Sequence, residues 1–315
     1  MRKIIVVSVI IFLCSALSPA QAFWIWTPKA QKWANPKKDP KANPKEQFKY
    51  AKSFYEEKKY EEAKREFNRL LEAFPKSAEA AESQYYLGLI GEAQDDFYEA
   101  YLAYQKVIDK YPFSERIQEI IEREYKIAEA FMSGKKRKAL GIVLPVDNPA
   151  IEIFTKIVEN STYGPLAPAA QYKLGLVLKG LMRYYEAEEA FNKLTTNYPK
   201  SEWVAPAKFQ LAACRAAASK GTEYDQGAAE EAKEKFEEFL EQHPDAVLSR
   251  DAQANIAQLR EKEAESIYDV GKFYEKQKQY GSAKIYYEEV TNNYTDSPWA
   301  AKALERLRVM EKQRK

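Results

Sequence analysis

The stretch YEEAKREFNRLLEAFPKS, residues 60–77, decides the fold, because the chain writes it repeatedly. Its apolar positions Ala63, Phe67, Leu70, Leu71 and Phe74 fall at i, i+4, i+7, i+8 and i+11, which is one stripe along a helix. Pro75 stops that helix. Ser77, followed by Glu79, suits the start of the next one: a hydroxyl oxygen for the first free backbone N–H groups, and a carboxylate at the positive end of the dipole.

The same grammar returns at Phe97, Ala100, Tyr104, Val107, Ile108, Tyr111, Pro112 and Ser114, and again at Tyr184, Ala187, Phe191, Leu194, Tyr198, Pro199 and Ser201. Weaker copies centre on Ala150 and Phe154, on Ala232, Phe236 and Pro244, and on Ala283 and Tyr287. The small anchor at 63, 100, 150, 187, 232 and 283 is spaced by 37, 50, 37, 45 and 51 residues. Twelve residues before the clean anchors stand Ala51, Gly88, Gly175 and Gly271, each in a second helical pattern. Each repeat therefore predicts two helices whose small residues let the backbones approach while a bulky Phe or Tyr fills the space beside them.

This pattern resembles a tetratricopeptide repeat, whose small, small, aromatic and proline positions match Ala51, Ala63, Phe67 and Pro75. The expectation is an all-α tetratricopeptide-repeat solenoid of five to six helix pairs over residues 45–312, closed by a charged capping helix from Pro298 to Lys312. Spacings beyond the ideal unit of about 34 residues imply insertions. One runs from Met132 to Asn148 and carries Gly134-Lys-Lys-Arg-Lys138, a solvated basic loop; another spans Gly221 to Gly227.

Composition excludes more than it assigns. A net charge of +2 from 49 basic and 47 acidic residues leaves no basic field for nucleic acid. Two cysteines and one histidine offer neither a nucleophile relay nor a cluster of metal ligands, so no catalytic residue, metal or cofactor is expected. Cys214 stands alone outside the leader, and His243 occupies the slot held elsewhere by Phe74, Tyr111, Tyr198 or Tyr294, which reads as a packing variant.

Met1 to Ala22 reads as a secretory signal: Arg2 and Lys3, an apolar run from Ile4 to Leu17, then Ala20-Gln21-Ala22 as a cleavage site. The run is shorter than the ~20 residues of a membrane span. Residues 23–44 follow as an extended Trp-, Lys- and Pro-rich tether, with Pro28, Pro36, Pro40 and Pro44 opposing helix. Phe23, Trp24, Trp26 and Trp33 beside Lys29 and Lys32 suit a membrane interface, docking on a partner, or packing on the first helix pair.

Three residues before each small residue of a first helix stands an aromatic: Phe48, Tyr85, Tyr125, Tyr172, Phe209 and Tyr268. In stacked pairs the first helices line the concave side, so this ladder is a candidate groove for an extended peptide. The alternative is that the rings fill the seam between neighbouring first helices.

The later repeats resemble the BamD (YfiO/ComL) family of outer-membrane β-barrel assembly proteins. The likeness rests on Ala167-Pro-Ala-Ala-Gln-Tyr-Lys-Leu-Gly175, Tyr185-Glu-Ala187, Asn197-Tyr-Pro-Lys-Ser201, Tyr224-Asp-Gln226 with Ala232, Phe236, Phe239, Leu240 and Pro244, and the segment from Asp251 to Tyr274. It implies a non-catalytic periplasmic scaffold at the outer membrane, with a BamA-like protein and unfolded β-barrel proteins as partners. It also implies a partner contact within Glu202 to Leu307. The family is usually lipid-anchored, whereas Leu13 before Cys14 fits acylation poorly, which makes Phe23 to Trp33 a substitute anchor. The competing reading is another periplasmic tetratricopeptide adaptor, one that coordinates cell-wall enzymes.

Overall fold

The computed structural model describes residues 25–27, 32–34, 39–139, 142–143, 148–219 and 226–313. The expected signal segment with Cys14, and Phe23 and Trp24, lie outside the described residues. Thirteen helices are described: α1 Pro44–Glu56, α2 Tyr60–Ala73, α3 Ala78–Ala93, α4 Phe97–Lys110, α5 Ile117–Met132, α6 Pro149–Asn160, α7 Ala167–Gly180, α8 Tyr184–Asn197, α9 Val204–Ala218, α10 Gln226–Gln242, α11 Ser249–Lys276, α12 Tyr280–Asn293 and α13 Pro298–Gln313. The chain divides into two compact units, residues 1–117 and 118–315.

In the first unit α1 packs on α2 and α3 on α4, with α3 also against α1 and α2. Asn43 caps α1 by accepting from the amide of Glu46 at 3.0 Å, and Pro44 occupies the first turn, where its missing N–H costs nothing. Ser77 caps α3 through the amide of Ala80 at 3.2 Å, as the Pro-Lys-Ser signature requires. In the second unit α7 pairs with α8, α9 with α10 and α11 with α12, successive pairs pack on each other, and α13 closes on α12 and α11.

The small residues work as the sequence implies. A Cβ on Gly88 would lie 2.2 Å from Tyr104, on Gly175 2.5 Å from Phe191, and on Gly271 2.9 Å from Tyr287. The aromatic of each second helix thus lies on the bare backbone of the first. Phe67, Tyr104, Phe154, Phe191, Phe236 and Tyr287 are all fully buried. At about 25 cal/mol per Å2 of apolar surface, each such ring contributes on the order of 3 kcal/mol.

The turn inside a pair is equally uniform. Lys58, Asp95, Met182 and Lys278 all adopt left-handed backbone, φ 58°, 61°, 60° and 61°. The following amide returns to the first helix, as in Lys59 to Phe54 at 2.8 Å, Asp96 to Gly91 at 2.8 Å, Arg183 to Leu178 at 3.0 Å and Gln279 to Tyr274 at 3.0 Å. The same turn thus joins the two helices of four pairs.

Three features depart from expectation. Within the segment expected as an extended tether, β1 Ile25–Thr27 pairs antiparallel with β2 Lys32–Ala34. The basic insertion continues into a second short pair, β3 Lys138–Ala139 with β4 Ile142–Val143. Finally, the helical pattern around Gly271, read as the first helix of its own pair, is the end of a single helix of 28 residues, Ser249–Lys276.

Candidate protein-interaction site

The aromatic ladder lies in the seams. Each ring contacts the ring of its own second helix: Phe48 and Phe67 at 5.8 Å between centroids, Tyr85 and Tyr104 at 5.8 Å, Tyr125 and Phe154 at 5.6 Å. The same holds for Tyr172 and Phe191 at 5.7 Å, Phe209 and Phe236 at 5.5 Å, and Tyr268 and Tyr287 at 5.3 Å. For four of them the start of the following repeat covers another side. Tyr86 stands edge-on to Phe48 at 5.5 Å, Trp203 against Tyr172 at 4.9 Å, Trp299 against Tyr268 at 5.2 Å, and the Arg116 guanidinium lies 4.9 Å over Tyr85.

This corrects the groove expectation for two members. Tyr85 is 3 % exposed and Phe209 8 %, so both belong to the core. Phe48, Tyr125, Tyr172 and Tyr268 are half-buried. Burial pushes the Tyr125 phenol up to about 12, with the Glu129 carboxylate adding to it, and burial likewise raises Tyr172 and Tyr268. These phenols stay neutral hydrogen-bonding groups at any physiological pH.

A polar device beside the ladder is invisible to hydrophobic patterning. Gln47, Gln84 and Gln171, each one residue before a ladder aromatic, donate across the pair to the carbonyls of Glu66, Ala103 and Ala190, at 3.0, 3.1 and 2.9 Å. In all three the partner lies nineteen residues ahead. Each glutamine is buried, so the bond holds the two helices in one axial register. The available signal was Gln directly before the aromatic and four residues before Ala or Gly.

Trp26 and Trp33 are direct partners in the backbone register of the short ribbon, and Trp26 is 47 % exposed. Behind it, the Lys41 amide donates to Gln47 at 2.9 Å and the Lys41 ammonium lies 4.0 Å over Tyr50, so the chain entering α1 is docked on that helix. No helix among the described residues is long and apolar enough to cross a membrane.

Among the described residues no group of three or more His, Cys, Asp and Glu side chains is placed to hold a metal ion. His243 packs 5.4 Å from Phe239. The Cys214 thiol is buried and pushed up to about 11 by that burial, which makes it a poor nucleophile. Arg215 bridges Glu188 at 3.1 Å and Glu231 at 3.3 Å, tying α8, α9 and α10 together; burial raises the Glu188 carboxyl.

Two family models described as tetratricopeptide repeat match residues 48–115 and 169–201, over the first two helix pairs and over α7 and α8. The fold is a tetratricopeptide-repeat array. In this array, residues 212–315 match a further family model, YfiO, described as an outer membrane lipoprotein. No curated protein sequence matches the chain. Among solved structures, a tetratricopeptide-repeat protein fragment from Cytophaga hutchinsonii is similar, at 17 % identity and TM-score 0.36 over 84 % of this chain and 88 % of that one. A tetratricopeptide-repeat protein from Parabacteroides merdae aligns at 15 % identity and TM-score 0.35, covering 83 % and 98 %. PilW, a type IV pilus biogenesis factor, aligns at 15 % identity and TM-score 0.30, covering 84 % and 100 %.

Proposed function

We propose that this repeat array is a non-catalytic periplasmic scaffold of the outer-membrane β-barrel assembly machinery, binding a BamA-like protein and the extended chains of unfolded barrel proteins. The observation that carries the reading is the match of residues 212–315 to the YfiO outer membrane lipoprotein model. Repeats of this kind present rigid helix faces without a reaction centre, which suits a partner-binding role. The half-buried Phe48, Tyr125, Tyr172 and Tyr268 are the ladder positions left to touch a peptide. The cluster of Phe23, Trp24, Trp26 and Trp33 would hold the scaffold to the membrane surface or to a neighbouring protein.

The more general repeat models over residues 48–115 and 169–201 keep the second reading in play, an adaptor that coordinates cell-wall enzymes. Affinity purification of the tagged full chain from the envelope of its own organism discriminates the two. The proposal expects a BamA-like protein with unfolded barrel proteins. Recovery of cell-wall enzymes in their place overturns it.

A further inference from the structure

The long helix α11 holds an unfilled place in the array. It has 28 residues, against 12 to 17 in the other described helices. Its N-terminal half packs Ala252 and Leu259 into the core of α9 and α10, while its C-terminal half packs Ala264 with Ala283 and Tyr287 of α12 and Ala303 of α13.

Register shows what the fusion has removed. The turn before a first helix is closed by an amide-to-carbonyl bond, Ser77 to Phe74 and Gly164 to Ser161. Counting from Ser77 and Gly164, the bridging glutamine comes seven residues on, Gln84 and Gln171, and the small residue eleven on, Gly88 and Gly175. Ala246 to His243 closes the same turn before α11. Seven and eleven residues on stand Gln253 and Ala257. The N-terminal half of α11 thus carries the face that elsewhere receives a second helix, but the chain runs on as helix to Lys276. Ala257 and Gly271 are fourteen residues apart, just under four turns, so both point to the side of α11 on which α12 lies.

That side is open beyond the end of α12. Gln253 and Ala257 are exposed and line a cleft of about 300 Å3 with Ile256, Glu261, Tyr294 and Asp296. Ile256 also packs against the α9–α10 core, so the cleft is continuous with an existing helix seam. Its rim is acidic, through Glu261 and Asp296. The nearby Arg260 is committed to the Asn293 carbonyl at 2.9 Å and to the Tyr294 ring at 5.5 Å.

We propose that this cleft receives an amphipathic helix from another protein, with one aromatic side chain seated at Ala257, a backbone carbonyl accepting from Gln253, and Lys or Arg facing Glu261 and Asp296. The chemistry of the occupant follows from the three internal copies: Gln84 with Gly88 under Tyr104 shows what covers such a face. The inference stands on this geometry and not on the outer-membrane reading.

The test is a fluorescence-anisotropy titration of the full chain with labelled peptides. The probe is the α4 sequence, residues 97–110, carrying Glu99→Lys and Asp109→Lys; its comparators are the unmodified α4 sequence and the basic probe with Tyr104→Ala. The basic probe is expected to saturate, at least tenfold tighter than either comparator. Ala257→Arg in the chain should abolish saturation and Gln253→Ala weaken it threefold or more; both residues are exposed, so far-ultraviolet circular dichroism and melting should be unchanged. Absence of saturable binding overturns the proposal, as does binding indifferent to Ala257→Arg. Self-association of the chain that Ala257→Arg abolishes also overturns it, since the occupant would then be a second copy.

Discussion

Gln171 donates its side-chain amide to the main-chain carbonyl of Ala190 at 2.9 Å, across the interface between α7 and α8 and away from water. Replacing it with Leu keeps the volume and removes one hydrogen bond, a loss of about 1 kcal/mol. Gln171→Glu turns a donor into a buried carboxylate facing a carbonyl, and should cost two to three times as much, roughly 3 kcal/mol at neutral pH. Urea denaturation of both variants measures the pair, and the gap between them should narrow as pH falls through the raised folded value of the buried carboxyl towards its unfolded value of about 4.3.

Phe191 lies where a Cβ on Gly175 would have to be, at 2.5 Å. Gly175→Val should therefore destabilise by about 2 kcal/mol or more, although valine has no less intrinsic helix preference than glycine. Adding Phe191→Leu should recover part of that loss, where two independent sites would only add their costs. A double-mutant cycle on unfolding free energy reads the coupling directly.

The left-handed turn residues yield a gain. Met182 holds φ 60° with a side chain that is 76 % exposed, so the strain serves no packing. Met182→Gly should stabilise by roughly 0.5–1 kcal/mol, the relief of left-handed strain partly offset by the entropy of a more flexible unfolded chain. The same change at Lys58 should act alike, as a rise in the denaturation midpoint.

Glu275 accepts hydrogen bonds from Tyr287 at 2.8 Å and from Arg306 at 3.1 Å. Burial on its own would raise this carboxyl, but the bonds from Arg306 and Tyr287 outweigh it and hold it below the ordinary range. Its contribution is whole above the unfolded value of about 4.3 and is lost as pH falls through the lower folded value. Glu275→Gln should lower thermal stability at pH 7 and show a shrinking deficit towards pH 3, measured as the difference in melting temperature between variant and parent.

Legibility followed local chemistry. The pairing of Gly88, Gly175 and Gly271 with an aromatic on the second helix was readable because the small residue and its partner sit at fixed offsets inside one hairpin. Burial of Tyr85 was not, because the helical period tells which side a ring faces and says nothing of Arg116, which the turn after α4 brings over it. The glutamine bridges escaped because patterning scores a buried amide as polar. The fusion in α11 was masked by the repeat rhythm: Tyr268 and Gly271 announce a fresh first helix, and only the lack of Pro or Gly between Ser249 and Val270 betrays that no turn precedes it. Strands of two or three residues are too short for alternation to register.

Because α11 serves two cores with one unbroken ladder of backbone bonds, the helices from α9 to α13 cannot come apart one pair at a time. Fraying at α12 and α13 leaves half of a shared rod without support, and melting of the rod strips the α9–α10 core of Ala252 and Leu259. Native-state hydrogen exchange should therefore find this end of the chain opening as one cooperative block, unlike the stepwise loosening typical of repeat arrays.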